Sequence, residues 1–338
     1  MIMAATAIGL KTHIWNNNLR SVILLAAYPF ILMAIVWAIA AASGGLGMQG
    51  TDPAAYANRV VYHYWPAIAT VVAIWFTIAW FFNTAMVRMV SHARPVTRAE
   101  EPALYNMLEN LCIARGLTMP RMEVIESPAL NAFASGVTDG TYSITVTRGL
   151  IETLQPDEME AVLGHELTHI INRDVRLMMV CIVFTGMVGF AAQMMWSGMR
   201  HALWVPRSGG RKDGGSLIIL YFATLAILMV GYLASMLARF ALSRSREYMA
   251  DAGSVELTKN PEAMMRALLR ISGHDRIPQA TDDIALMCIE NSKPFLGLFT
   301  THPPIAARLE AISRITGTPV PALQPPGRAG ANDRNPWA

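Results

Sequence analysis

The stretch His165-Glu166-Leu167-Thr168-His169 combines residue types and spacing that can do chemistry. In a helix, residues four apart lie one turn above each other, so both imidazoles leave the same face. Two neutral ring nitrogens at that separation suit a zinc ion, and a glutamate between them can reach a bound water as general base. The same letters also arise on solvated helix faces, so the reading depends on what the rest of the chain supplies. A catalytic zinc needs a third protein ligand and an open position for water.

Several elements must position this stretch. The run Asp157–Asn172 reads as its helix, with Pro156 in the first turn, where a missing N–H costs nothing. Upstream, Thr97 with Glu100 is a capping-box signal opening a helix over Ala99–Arg115, ended by Gly116. Arg121–Glu126, Asn131–Ser135 and Tyr142–Thr147 read as strands of a small sheet, with Asp139-Gly140 as a hairpin turn. Downstream, helices are expected over Pro261–Ile271 and Pro303–Ile315. Glu290–Thr301 lacks periodicity and reads as a mobile cover over the site. From Thr318 the chain is rich in Pro, Gly and Ala, which predicts a disordered tail.

Composition places all this at a membrane. The 338 residues are 53% hydrophobic and 15% charged, with mean hydropathy +0.35; soluble domains carry about 25% charged residues. A net charge of +3 does not suggest nucleic-acid binding. Cys112, Cys181 and Cys288 form no C-x-x-C pair and no disulfide framework. Four runs free of Asp, Glu, Lys and Arg follow Arg20, Arg59, Arg176 and Asp213. Each is long enough to span a bilayer, which takes about 20 residues. The first is too long for the apolar region of a signal peptide, about 7–15 residues.

The fold class expected is a mainly α integral membrane protein with four transmembrane helices and a catalytic domain holding a small β-sheet. The N-terminal region, 1–90, carries spans at about 21–42 and 66–88. The catalytic domain begins over 91–176, is interrupted by a transmembrane hairpin over 177–240, and resumes over 241–317, with the tail at 318–338. Lys11, Arg20, Arg88, Arg94 and Arg98 put the N-terminus and the segment from Arg88 on the cytoplasmic side. Arg200, Arg207, Arg211 and Lys212 pull the other way, which leaves open a last pair of spans partly embedded in protein.

That hairpin points to the third ligand. His169 precedes Leu177 by eight residues, about 12 Å of helix, and Glu247 follows Ala238 by nine, about 13–14 Å. Antiparallel spans would lift both side chains to similar heights above one membrane face. Asp251, one turn beyond Glu247, can accept a hydrogen bond from the second nitrogen of a ligand histidine, or be merely solvated. Asn172 shares the ligand face and could make a buried polar contact. Asp174 is rotated off that face and reads as a cap or a membrane-boundary anchor.

Four separated pieces together resemble a family: Asn131-Ala132-Phe133-Ala134, His165–His169 with Asp174, Ser243-Arg244-Ser245-Arg246-Glu247 with Ala250-Asp251, and Thr301-His302-Pro303 with Arg308. The chain resembles the HtpX-like membrane zinc metallopeptidases, a branch of the group that also holds the type I CAAX prenyl proteases. The resemblance implies a zincin-like (gluzincin) domain with one Zn2+ per chain, bound by His165, His169 and Glu247, and Glu166 as the base that shuttles a proton to the leaving amine. It implies that Asn131, Ala132 and Phe133 lie on an edge strand pairing with substrate backbone, that His302 stabilises the oxyanion or orients substrate, and that Arg308 lies nearby in substrate binding. Duller readings stand beside these: Phe133 in the core, His302 as a helix cap, Arg308 in a structural salt bridge. The partners implied are the lipid bilayer and membrane-protein or peptide substrates, in quality control at a bacterial inner membrane, with the site facing the cytoplasm. A prenyl protease and a non-catalytic zinc-binding scaffold or transporter are the alternatives.

Overall fold

The computed structural model describes residues 52–182, 244–272 and 303–322, with single residues and short runs between 19 and 41 and between 193 and 232. The chain divides into two compact units, one drawn from Leu19–Phe81 and Val180–Arg239, the other from Met1–Asn18, Phe82–Met179 and Phe240–Ala338.

The first unit contains most of α1, Pro53–Ser91, a 39-residue helix. Its segment Pro53–Phe82 is long and apolar enough to cross a membrane. Thirty residues span about 45 Å, more than the roughly 30 Å of bilayer hydrocarbon. Val71, Ile74, Ile78 and Phe81 are exposed on this helix, an arrangement that water opposes and lipid accepts. The helix starts well before residue 66, the start expected for this span, and carries Arg59 and Pro66 inside it. Trp37 Nε1 donates to Asn58 Oδ1 at 2.8 Å, joining the first apolar run to α1. The first expected span is helical over 33–41, and the third and fourth fall largely outside the described residues.

The second unit holds the sheet and the motif helix. Strands β1 (Arg94–Pro95), β2 (Arg121–Ile125), β3 (Ala132–Ser135) and β4 (Ser143–Thr147) stand in the order β1-β2-β4-β3. β3 and β4 form an antiparallel hairpin, and β2 runs parallel to β4. The short β1, absent from the sequence reading, pairs antiparallel with β2. The first helix here, α2, is Pro102–Arg115 and ends at Gly116. It starts later than expected: Glu100 does accept from the Thr97 N–H at 2.7 Å, but this closes a turn ahead of the helix. A short α3, Arg148–Thr153, follows β4.

The motif helix is α4, Pro156–Ile171. Its start is fixed three ways. Pro156 sits in the first turn, and Gln155 and Glu158 cap each other reciprocally. The fully buried Glu158 also accepts from Arg266 and Arg270 of α6, Pro261–Ile271. Ala161 of α4, Met264, Met265 and Leu268 of α6, and Leu309 and Ile312 of α7 (Ile305–Thr316) share one apolar core. α5, Arg244–Thr258, packs along α4. Glu290–Thr301 and most of the tail lie outside the described residues.

Candidate metal centre and active site

α4 presents His165 and His169 on one face, with ring centroids 4.7 Å apart and planes at 88°. Their Nε2 atoms are 3.2 Å apart. From α5, Glu247 places Oε2 3.7 Å from His165 Nε2 and Oε1 3.7 Å from His169 Nε2.

Small residues let α5 come this close. A Cβ on Gly253 would lie 2.3 Å from Thr168 Cγ2, and one on Gly164 would lie 3.2 Å from Ser254 Oγ. Ser254 Oγ donates to the Ala161 carbonyl at 2.5 Å, tying the helices together. The contact lies within two turns of Glu247, so backbone separation there sets the carboxylate's distance from the imidazoles.

The three donors suit zinc. Tetrahedral zinc with bonds of about 2.0–2.2 Å spaces its ligand atoms about 3.3–3.6 Å apart; here the two Nε2 atoms are 3.2 Å apart, and each has a different Glu247 oxygen at 3.7 Å. The second ring nitrogens are engaged as well. His165 Nδ1 lies 3.0 Å from Asp251 Oδ1, and His169 Nδ1 lies 3.1 Å from Asp174 Oδ2. The His169 contact is a hydrogen bond, which directs Nε2 of that ring at the centre, and the His165 contact is a close charge approach to the same kind of carboxylate, an arrangement a cation stabilises.

Asp174 corrects the sequence reading. In one continuous helix it would face away from His169. The helix instead breaks after Asn172: Arg173 adopts φ +61°, and helical residues resume at Asp174. That turn brings Asp174, 1% exposed, back onto the imidazole.

Of the two readings of Arg308, substrate contact and structural salt bridge, its surroundings support the second: it is 0% exposed. Held by α7, it grips Asp251 through Nε at 2.9 Å and Nη2 at 2.6 Å, and its Nη1 lies 3.8 Å from Glu247 Oε2. The buried salt bridge is therefore the reading that the geometry favours. Burial alone would raise the Asp251 carboxyl, but Arg308 holds it below the usual carboxylate range.

The charges of the centre follow from these partners. Burial pushes the His165 ring down to about 4, against the pull of Asp251. Burial also acts to lower His169, but the Asp174 hydrogen bond and the Glu247 charge carry it up to about 9. Glu166, 1% exposed, is pushed up to about 7, chiefly by burial. Nearby Glu247 adds to that rise, while His169 and a hydrogen bond from the Ala134 N–H oppose it. A carboxyl near neutrality is matched to general-base work.

The remaining candidates are placed as follows. Asn131 is buried, and its Oδ1 accepts from the Ala132 N–H at 2.9 Å. Ala132 and Phe133 lie on β3, an edge strand of the sheet, with the Phe133 side chain buried in the core. Asn172 is buried at the end of α4, lining a cavity of about 370 Å³ with Thr168, Ile171, Met249 and Leu257. His302 lies outside the described residues.

Comparison with known proteins decides the family. The model of "Peptidase family M48" matches residues 98–316, a stretch that includes every candidate residue named above. The chain belongs to peptidase family M48. A "Protease HtpX homolog" of Bacteroides fragilis is 38% identical over 322 residues, covering 91% of this chain and 99% of its own. Another "Protease HtpX homolog", from Streptococcus uberis, is 32% identical over 319 residues, covering 90% and 99%. Among solved structures, Ste24p of S. mikatae matches at 17% identity with a TM-score of 0.47, over 88% of this chain and 66% of that one. The M48 chain is thus an HtpX-like metalloprotease, and His165, His169 and Glu247 form a group within it that could hold a metal ion.

Proposed function

We propose that this chain is a membrane-embedded, zinc-dependent endopeptidase that hydrolyses peptide bonds of membrane proteins on the cytoplasmic side, in protein quality control. The observation that carries the reading is the convergence of three donor atoms within 4.8 Å of one another, next to a glutamate poised near neutrality. His165, His169 and Glu247 are the ligands. Zinc, when bound, supplies Lewis-acid polarisation of the scissile carbonyl and activation of a water. Glu166 takes the proton from the attacking water and delivers it to the leaving amine. Asp251 and Asp174 hold the two imidazoles in the tautomer that keeps Nε2 free for metal. The backbone of Asn131, Ala132 and Phe133 aligns the substrate by strand addition, since β3 is a sheet edge. His302 orients the scissile group.

Membrane residence is supported by the apolar helix Pro53–Phe82. The cytoplasmic side is supported by Arg88, Arg94 and Arg98, which follow that segment. The deciding experiment replaces Glu166 by Gln in the full-length protein and measures zinc content beside cleavage of a membrane-protein substrate. Retained zinc with cleavage lost is the expected result. Unchanged cleavage would remove Glu166 as the base.

A further inference from the structure

Arg173 holds the break after α4 in a conformation that residues with a Cβ disfavour, at φ +61°. Such a residue persists where its surroundings over-determine it, and here they do. Arg173 Nη1 donates to Asp139 Oδ1 at 2.8 Å and to Tyr142 Oη at 3.1 Å. Its guanidinium also lies 6.0 Å from the centre of the Tyr142 ring. Three residues on, Arg176 Nε donates to the Val137 carbonyl at 2.8 Å. Both arginines therefore grip the tip of the β3–β4 hairpin, one on each side of Asp174.

The tip is a firm anchor. Thr141 Oγ1 accepts from the Val137 and Thr138 N–H groups at 3.1 and 2.9 Å. Gly136, at φ +113°, lets the strands close where a Cβ would meet the Thr141 carbonyl at 2.6 Å. Thr84, near the end of α1, donates to that same carbonyl at 3.0 Å. Between the two grips, Asp174 reaches His169 Nδ1 at 3.1 Å.

We propose that Arg173 is a positioning residue: by clamping the left-handed break to the β3–β4 hairpin, its side chain aims the Asp174 carboxylate at His169 and so sets the strength of the metal site. The proposal rests on the reading of His165, His169 and Glu247 as zinc ligands. It also joins the hairpin that carries the edge strand to one histidine of the centre.

The test uses the full-length protein in detergent. Arg173→Gly keeps the left-handed turn accessible and deletes only the clamp. Asp139→Ala removes one anchor, a carboxylate 70% exposed, at little risk to folding. Zinc affinity is measured by competition with a chromophoric chelator, and ligand geometry by the d–d bands of the cobalt-substituted protein, with the thermal midpoint alongside. Arg173→Gly is expected to bind zinc about 10-fold more weakly, the lower end of what loss of an outer partner costs. Its cobalt bands should shift while its thermal midpoint stays near wild type. Asp139→Ala should move both metal readouts the same way by less. Wild-type affinity and bands in Arg173→Gly would overturn the clamp. If that variant does not fold, unchanged affinity in Asp139→Ala overturns it alone. A wild-type protein that takes up no zinc would instead overturn the reading of the metal site, and the clamp with it.

Discussion

The two imidazoles of the centre are supported in opposite ways. His165 is fully buried and leans on Asp251, which comes from another helix and is itself held by Arg308 from a third. His169 has a side chain 14% exposed and leans on Asp174, five residues along its own chain. One arm is assembled by packing of α4, α5 and α7; the other by a backbone break that the β3–β4 hairpin holds. Two ligands from one motif therefore need not share a fate: the first depends on how three helices dock, the second on one break and its clamp.

The largest loss is expected at Asp251. Asp251→Ala leaves the Arg308 guanidinium buried without its carboxylate, and breaking a buried pair this way costs about 3–5 kcal/mol. A large fall in the thermal midpoint is expected together with weak zinc binding. A near-wild-type midpoint would show that the packed arm is not structural.

Gly253→Ala should come next, at about 1–3 kcal/mol, because the added methyl meets Thr168 and overpacks the α4–α5 contact. Chemical denaturation measures the loss. Adding Thr168→Ala should recover most of it along with zinc affinity; failure of the double variant to recover would mean that helix separation is not what positions Glu247.

Asp174→Ala should cost less stability than Asp251→Ala, because His169 can give up its proton once the carboxylate is gone, yet weaken zinc binding by about 10–100-fold. Equilibrium dialysis against a metal buffer, run beside a melting curve, would reveal whether the local arm acts on the metal alone.

The smallest effect sharpens the contrast in charge. His169, raised to about 9, is protonated at pH 7, whereas His165, lowered to about 4, is neutral. Zinc must displace the His169 proton, so below pH 9 affinity should rise about tenfold per pH unit, with about one proton released at pH 7. Calorimetry in buffers of different ionisation enthalpy counts that proton. Asp174→Asn removes the neighbouring charge and should reduce the release.

Much of the frame was legible in the sequence because its signals are local. The motif helix expected over Asp157–Asn172 is Pro156–Ile171. The expected hairpin and the helix Pro261–Ile271 are present because turn residues and caps act over a few positions. The break at Arg173 was not legible, since arginine gives no signal for a left-handed turn, and helical phase alone sent Asp174 the wrong way. The Asp251–Arg308 pair, 57 residues apart, is set by how α7 docks, which no spacing rule encodes. The short β1 escaped for the same reason: two residues paired by distant tertiary contact leave no periodic trace.

The hydrogen bond from Ala134 to Glu166 has a consequence for how a reaction would begin. In the proposed strand addition, a polypeptide entering along β3 would compete for the Ala134 amide that holds Glu166 down. Losing that donor would make the carboxylate a stronger base, so that seating and activation would be coupled.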